Sequence, residues 1–263
     1  MKTLLLYPHG LGDCILATPL LRTLHKRGDE VGFATLERFR SARLLDNCPY
    51  VQELFYTKDA WNDFPSFEVG MQHLAQVCLH WIKERGYQLF VPVKHGPKEH
   101  KIIANYLRVG IDPFGPDFDE SLQTEVWITP EDEEAAKRYK PEQPYAFIQT
   151  RTGVPAKDLP IGFGQAYARN HGIPDFVEVG ISFRYDEIPI GAQFALLRDA
   201  SMVIIPDSVF FHAACALGKA IDFVYFARGR GIHDRVHPLE GPHKYNPVYQ
   251  LPSEIPNFTW EKP

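Results

Sequence analysis

The sequence predicts an α/β protein built on parallel sheets in two tandem halves. Three observations carry this expectation. Short apolar runs of strand length recur along the 263 residues. Segments with apolar positions at helical spacing lie between them, and the same alternation restarts after a break bracketed by Pro141 and Pro144. A chain of this length buries one large or two modest cores, and 44% hydrophobic with 23% charged residues is an ordinary globular composition.

In the first half, Thr3 to Tyr7 is an apolar run too short for a buried helix. Ile15, Pro19, Leu20 and Leu24 then recur at helical spacing, so the period changes across Pro8 to Asp13. Glu30 to Thr35 reads as a second strand, Glu37 to Asp46 as a helical segment, and Val51 to Tyr56 as a third strand. Phe67 to Arg85 carries apolar residues at helical positions, Gly86 closes it, and Tyr87 to Val93 follows as a buried strand. A loop with Lys94, His95, Lys98, His100 and Lys101 leads to a short helix, Ile102 to Val109. After the turn-rich Asp112 to Asp117 come a strand at Glu125 to Ile128 and an acidic helix from Pro130 to Tyr139.

The second half opens on a strand, Tyr145 to Gln149, and a polar loop, Thr150 to Pro160. A helix at Phe163 to Asn170, a strand at Phe176 to Gly180 and a helix at Ala192 to Asp199 follow. Met202 to Asp207 is a buried strand ending in a carboxylate, Ser208 to Leu217 a helix closed by Gly218, and Ile221 to Phe226 another strand. The expected organisation is a domain over 1–141, a second over 142–240, and a tail over 241–263 whose Tyr245, Tyr249 and Trp260 pack along the seam.

Charge and cysteine usage exclude several functions. A net charge of −5 argues against general nucleic-acid binding, which needs an excess of Lys and Arg on the docking face. Cys14, Cys48, Cys78 and Cys215 form no Cys-x-x-Cys pair, a spacing that suits reduced, buried thiols and an intracellular protein. The N-terminal apolar run stops at Pro8, and no stretch approaches the ~20 apolar residues that cross a bilayer. A cytoplasmic location follows, with at most peripheral membrane contact.

In parallel sheets, ligand chemistry belongs where strands run out into helix N-termini. At the first such place Gly10 and Gly12 let backbone approach a ligand, and Asp13 is either a helix cap or a reacting carboxylate. The lysine loop beyond the Tyr87 strand faces the same edge, as solvated surface or as an anion contact. In the second half Asp207 and Ser208 stand at a strand-to-helix junction that attracts anions, with His212 one helical turn on. An ordinary N-cap with a core-packed histidine is the equal alternative. Lys157, downstream of Thr150, Arg151 and Thr152, is either a plain surface lysine or positive charge for a diphosphate. Arg228, Arg230 and Arg235 follow the last strand, as a phosphate grip or a flexible connection; His233 and His237 lie among glycines and Pro238, a poor setting for a metal helix. The chain contains no His-Glu-x-x-His, Gly-x-Ser-x-Gly or Walker loop.

Gly10-Leu-Gly-Asp-Cys-Ile-Leu-Ala-Thr-Pro-Leu-Leu-Arg-Thr-Leu24 resembles the opening of the heptosyltransferase-type glycosyltransferases, family nine. Ala200 to Lys219 resembles their second signature, Asp-Thr/Ser-Gly-x-x-His-x-Ala-x-Ala-Leu-Gly, and Lys157-Asp-Leu-Pro160 is similar to their Lys-x-Trp-Pro loop. The resemblance runs in order along most of the chain. It implies a GT-B fold: two doubly wound, Rossmann-like parallel-sheet domains facing each other across a cleft. It further implies inverting transfer of a heptose or related sugar from a nucleoside-diphosphate donor such as ADP-heptose to a hydroxyl of a glycan or lipopolysaccharide-core acceptor. Asp13 takes the role of general base. Donor contacts fall on Lys157, Asp207, Ser208, Val209 and His212, with Thr150 and Arg151 beside them. The acceptor falls to Gly12, Lys94, Lys98 and Lys101, and no metal or other cofactor is implied. Val209 replaces the family glycine and Leu159 the tryptophan. The alternatives are a nucleotide-sugar hydrolase or epimerase of the same fold, and an inactive nucleotide-sugar binding protein.

Overall fold

The computed structural model describes residues 1–8, 10–59, 63–90, 101–112, 115–116, 118, 123–153, 157–180 and 188–225. The first half runs β1 (Lys2–Leu6), α1 (Leu11–Leu16), α2 (Thr18–Lys26), β2 (Glu30–Leu36), a 3-10 turn (Glu37–Ala42), β3 (Glu53–Thr57), α3 (Phe67–Arg85), β4 (Gln88–Phe90) and α4 (Lys101–Arg108). Then come α5 (Pro130–Lys137), β5 (Tyr145–Gln149), α6 (Phe163–Asn170), β6 (Asp175–Val179), α7 (Ile190–Asp199), β7 (Met202–Pro206), α8 (Val209–Ala216) and β8 (Phe223–Tyr225). Lys94, His95, Lys98, His100, the Arg228 to Arg235 run, His237 and the 241–263 tail lie outside the described residues; Lys101 is the first residue of α4.

The strands form two parallel sheets, ordered β3-β2-β1-β4 and β6-β5-β7-β8. Each sheet grows first on one side of its opening strand and then on the other. The strand order therefore reverses between β1 and β4, and again between β5 and β7, the positions where such sheets leave a crevice beyond their carboxyl ends.

Burial on both faces explains why the strands read as unbroken apolar runs rather than alternating ones. In β1, Leu4 and Leu6 pack with Met71, Leu74 and Cys78 of α3, while Leu5 joins Ile15, Leu20 and Phe33 on the opposite face. In the second sheet, Ala146, Ile148, Met202 and Ile204 meet Phe163 and Ala168 of α6. Tyr145, Phe147, Val203 and Ile205 face the other way, toward Phe194 of α7 and Phe210 of α8. That last cluster is continuous with Leu11, Cys14 and Ile15 of α1, so apolar packing joins the two halves.

Three expected elements differ. The helix expected from Ile15 to Leu24 is two helices, parting at Ala17. Pro19 has no N–H for the Ile15 carbonyl, and the Thr18 hydroxyl donates to that carbonyl instead, at 2.8 Å. The helix expected over Glu37 to Asp46 is a 3-10 turn stopped by Arg43, whose φ of 55° is left-handed. The strand expected at Glu125 to Ile128 joins no sheet. The polar groups of Glu125 go to side chains: its N–H donates to Thr18 Oγ1 at 2.9 Å, and its carboxylate accepts from Arg22 and from the Tyr50 hydroxyl at 2.9 Å. Its apolar residues pack on the core without a ladder, which is why Val126, Trp127 and Ile128 mimic a strand in sequence. The acidic helix α5 leans on α7, where Arg198 grips the Glu133 carboxylate with two nitrogens, at 2.6 and 3.0 Å.

All four cysteines are free and buried, as their spacing predicted. Burial pushes the thiols of Cys14, Cys48 and Cys78 up to about 12. Because the folded value lies above the unfolded one, the folded state holds more protons above the usual thiol value of 9.0. Stability from this source is full below that pH and is lost as pH rises toward about 12. We expect the urea midpoint to fall across that window, and Ellman's reagent to label none of these three thiols at pH 8 until urea unfolds the chain. Stoichiometric labelling of the native protein would contradict their burial. No helix among the described residues is long and apolar enough to cross a membrane.

Candidate functional site

The first part of the site is the turn between β1 and α1. Gly10 is the N-cap of α1, and with no side-chain oxygen of its own it leaves the capping to Asp13. Asp13 Oδ2 accepts the Gly10 N–H at 3.1 Å, while Asp13 N–H donates to the Gly10 carbonyl at 3.0 Å. Capping and chemistry are therefore compatible: one carboxylate oxygen is anchored and the side chain stays partly exposed. Behind it, the Tyr7 hydroxyl donates to Asn105 Oδ1 at 2.6 Å, Asn105 Nδ2 donates to the Leu16 carbonyl at 3.2 Å, and Arg108 Nη1 donates to Asn105 Oδ1 at 3.3 Å. Burial, and then the Asp13 charge, raise the Tyr7 phenol far above its ordinary value, so it stays a neutral donor.

The second part lies at the carboxyl ends of β5 and β7. Lys157 Nζ donates to Asp207 Oδ2 at 2.6 Å and to the Asp207 carbonyl at 3.2 Å. The pair is largely withdrawn from water, with side-chain exposures of 24% and 14%. The loop that carries Lys157 is tied shut by its own polar groups. Leu159 N–H donates to the Thr150 carbonyl at 2.7 Å, and Asp158 Oδ1 accepts Thr152 N–H at 2.7 Å. Gly180, the residue after β6, closes against it: its φ is +83°, and a Cβ there would lie 2.4 Å from the Arg151 carbonyl oxygen. Thr150 is buried and its hydroxyl donates to Glu178, whereas Arg151 is exposed.

Ser208 caps α8, its Oγ accepting Phe210 N–H at 3.2 Å and donating to Gln149 Oε1. Val209 is the first residue of α8 and has no positive φ, so the backbone there does not demand the glycine it replaces. His212 is 6% exposed. The space beside Gly12 is filled by its imidazole: a Cβ on Gly12 would meet His212 Cδ2 at 2.4 Å and Nε2 at 3.1 Å. Further along α8, the Ala216 carbonyl accepts Gln123 Nε2 at 3.2 Å.

The structure thus joins Lys157, Asp207 and Ser208 around one sheet edge, and Gly12 with His212 at the contact between α1 and α8, next to Asp13. Gln149, Tyr7, Asn105 and Arg108 belong to this setting and were not singled out from sequence. The available signal was a polar group closing an apolar strand at Gln149 and Tyr7. For Asn105 and Arg108 it was no more than an i, i+3 pair on a short helix.

No protein-family model matches the sequence, and no curated protein matches it. Solved structures do. A family 9 glycosyl transferase from Veillonella parvula superposes with a TM-score of 0.59 at 14% identity, over 95% of this chain and 85% of that one. ADP-heptose lps heptosyltransferase II from E. coli gives 0.59 at 15% identity, over 97% and 91%. E. coli heptosyltransferase WaaC with ADP gives 0.50 at 12%, over 95% and 92%. The chain has the fold of heptosyltransferase-type, family-nine glycosyltransferases: α/β, with parallel sheets.

Proposed function

We propose that the chain is an inverting glycosyltransferase of GT-B architecture, with residues 1–141 on the acceptor side and 142–240 on the donor side of a shared cleft. The observation that carries this reading is the packing of α1 on α8, which brings the Asp13 turn to the helix whose N-terminus Ser208 caps. Asp13 takes the proton from the acceptor hydroxyl as that oxygen bonds to the anomeric carbon. The bond from that carbon to the diphosphate breaks on the opposite face, and its electron pair leaves with the phosphate. Lys157 Nζ and the positive N-terminal end of α8 meet the developing charge, with the Ser208 hydroxyl turning from Gln149 Oε1 to the phosphate, a task that calls for no metal in this arrangement. Asp207 orients the lysine and Gln149 the serine. Because neighbouring structures include one with ADP and an ADP-heptose transferase, an adenosine-diphosphate heptose is the donor to try first. As acceptor, the lysines that the sequence clusters at Lys94, Lys98 and Lys101 suit an anionic glycan of the lipopolysaccharide-core kind, and such a reaction belongs in the cytoplasm.

A thermal-shift panel of ADP, UDP, GDP and dTDP tests the donor class. A ligand at a hundredfold excess over its Kd stabilises the folded state by about 2.7 kcal/mol. We expect ADP to raise Tm more than the other three do. No shift with any of the four would sink the donor-site reading. Release of free sugar from a donor without acceptor, as fast as with it, would instead make the protein a hydrolase.

A further inference from the structure

We propose that His212 is a positioning residue for Asp13, and that position 12 is glycine because the imidazole needs its space, not because a ligand approaches the backbone there. This rests on the transferase reading above. His212 is 6% exposed, and its ring edge is where a Cβ on residue 12 would stand, 2.4 Å from Cδ2. Residue 12 is the immediate neighbour of Asp13, whose carboxylate is fixed to Gly10 N–H at 3.1 Å in the same short turn. Any shift of the ring therefore moves the turn that aims the carboxylate. His212 also lies one helical turn beyond Ser208, on the helix that meets the donor, so the contact transmits the placement of α8 to the general base. Four residues further on, the bond from Gln123 to the Ala216 carbonyl holds α8 from the connecting segment. The helix is thereby held at two points, His212 against α1 and Ala216 against the connecting segment.

The test is a set of four variants: Gly12→Ala, His212→Ala, the double Gly12→Ala/His212→Ala, and His212→Leu. Turnover is measured with ADP-heptose and acceptor, and urea midpoints are measured on the same proteins. A misplacement of about 1 Å at a reacting group costs about a hundredfold in rate. Gly12→Ala should therefore lower kcat by about that factor with the donor KM nearly unchanged, because the added methyl pushes the ring. Removing the ring in the double variant should return kcat to the level of His212→Ala, so that the two defects do not multiply. His212→Leu, which restores bulk but no hydrogen-bonding nitrogen, should recover most of what His212→Ala loses. Defects that multiply overturn the proposal, as does a leucine variant that matches alanine and raises the donor KM. If Gly12→Ala does not fold, the double variant must fold, since the clash is gone; its failure to fold also overturns the contact. A wild-type protein inactive with every donor sinks the transferase reading itself, whereas an active wild type with multiplying defects sinks this inference alone.

Discussion

Asp13→Asn should lower transfer turnover by about 10²–10⁴-fold, the range that a positioned general base supplies, while the urea midpoint should stay near wild type. The separation is possible because the asparagine amide oxygen can still accept the Gly10 N–H that Asp13 Oδ2 accepts at 3.1 Å. The bond from the third residue of the helix back to the N-cap N–H is retained, as it is where a Gln amide closes a capping box, and only the proton acceptor is lost. ADP binding should be unchanged as well, because the proposed donor groups belong to the other sheet. Stopped or fixed-time assays of product, together with the ADP-induced shift in Tm, read these quantities independently. Unaltered turnover in this variant would remove Asp13 from the chemistry and leave it as a cap.

The second large effect is at Lys157. Lys157→Met should weaken ADP binding by about 10–150-fold, the loss of a hydrogen bond to a charged group worth about 1.5–3 kcal/mol. More is lost than one contact. The Asp207 carboxylate, which accepts Lys157 Nζ at 2.6 Å and is 14% exposed, would be left without that cation beside an incoming diphosphate. The double variant Lys157→Met/Asp207→Asn should therefore bind ADP better than Lys157→Met alone. Isothermal titration with ADP decides the order. A double variant weaker than the single one would mean that Asp207 helps the donor in some way other than by holding the lysine.

How legible was this site beforehand? Asp13, Ser208 and Lys157 were visible because each sits where a buried apolar run gives way to a polar turn, a change of period confined to a few residues. Phe67–Arg85, Tyr145–Gln149 and Phe163–Asn170 have the limits that the sequence implied, since Gly86, Pro144 and Gly162 punctuate them locally. The 125–128 segment misled for an equally physical reason. Its three successive apolar residues pack on the core, and Thr18, far away in the chain, accepts the Glu125 N–H that a neighbouring strand would otherwise have paired.

The parallel α/β class, the order of most strands and helices, and the turns where carboxylate, hydroxyl and ammonium groups emerge were all readable from the residues alone. Those properties follow from apolar periodicity, prolines and glycines acting over a turn or a strand. That Lys157 pairs with Asp207, that Gln149 receives the Ser208 hydroxyl, and that His212 lies against Gly12 came from the packing of the chain. Such pairs join residues 50, 59 and, for the last, some two hundred positions apart, and they exist because two sheets and their helices pack in one particular way. No local pattern encodes which side chain fills the space left by a missing Cβ; the packing of α8 on α1 does.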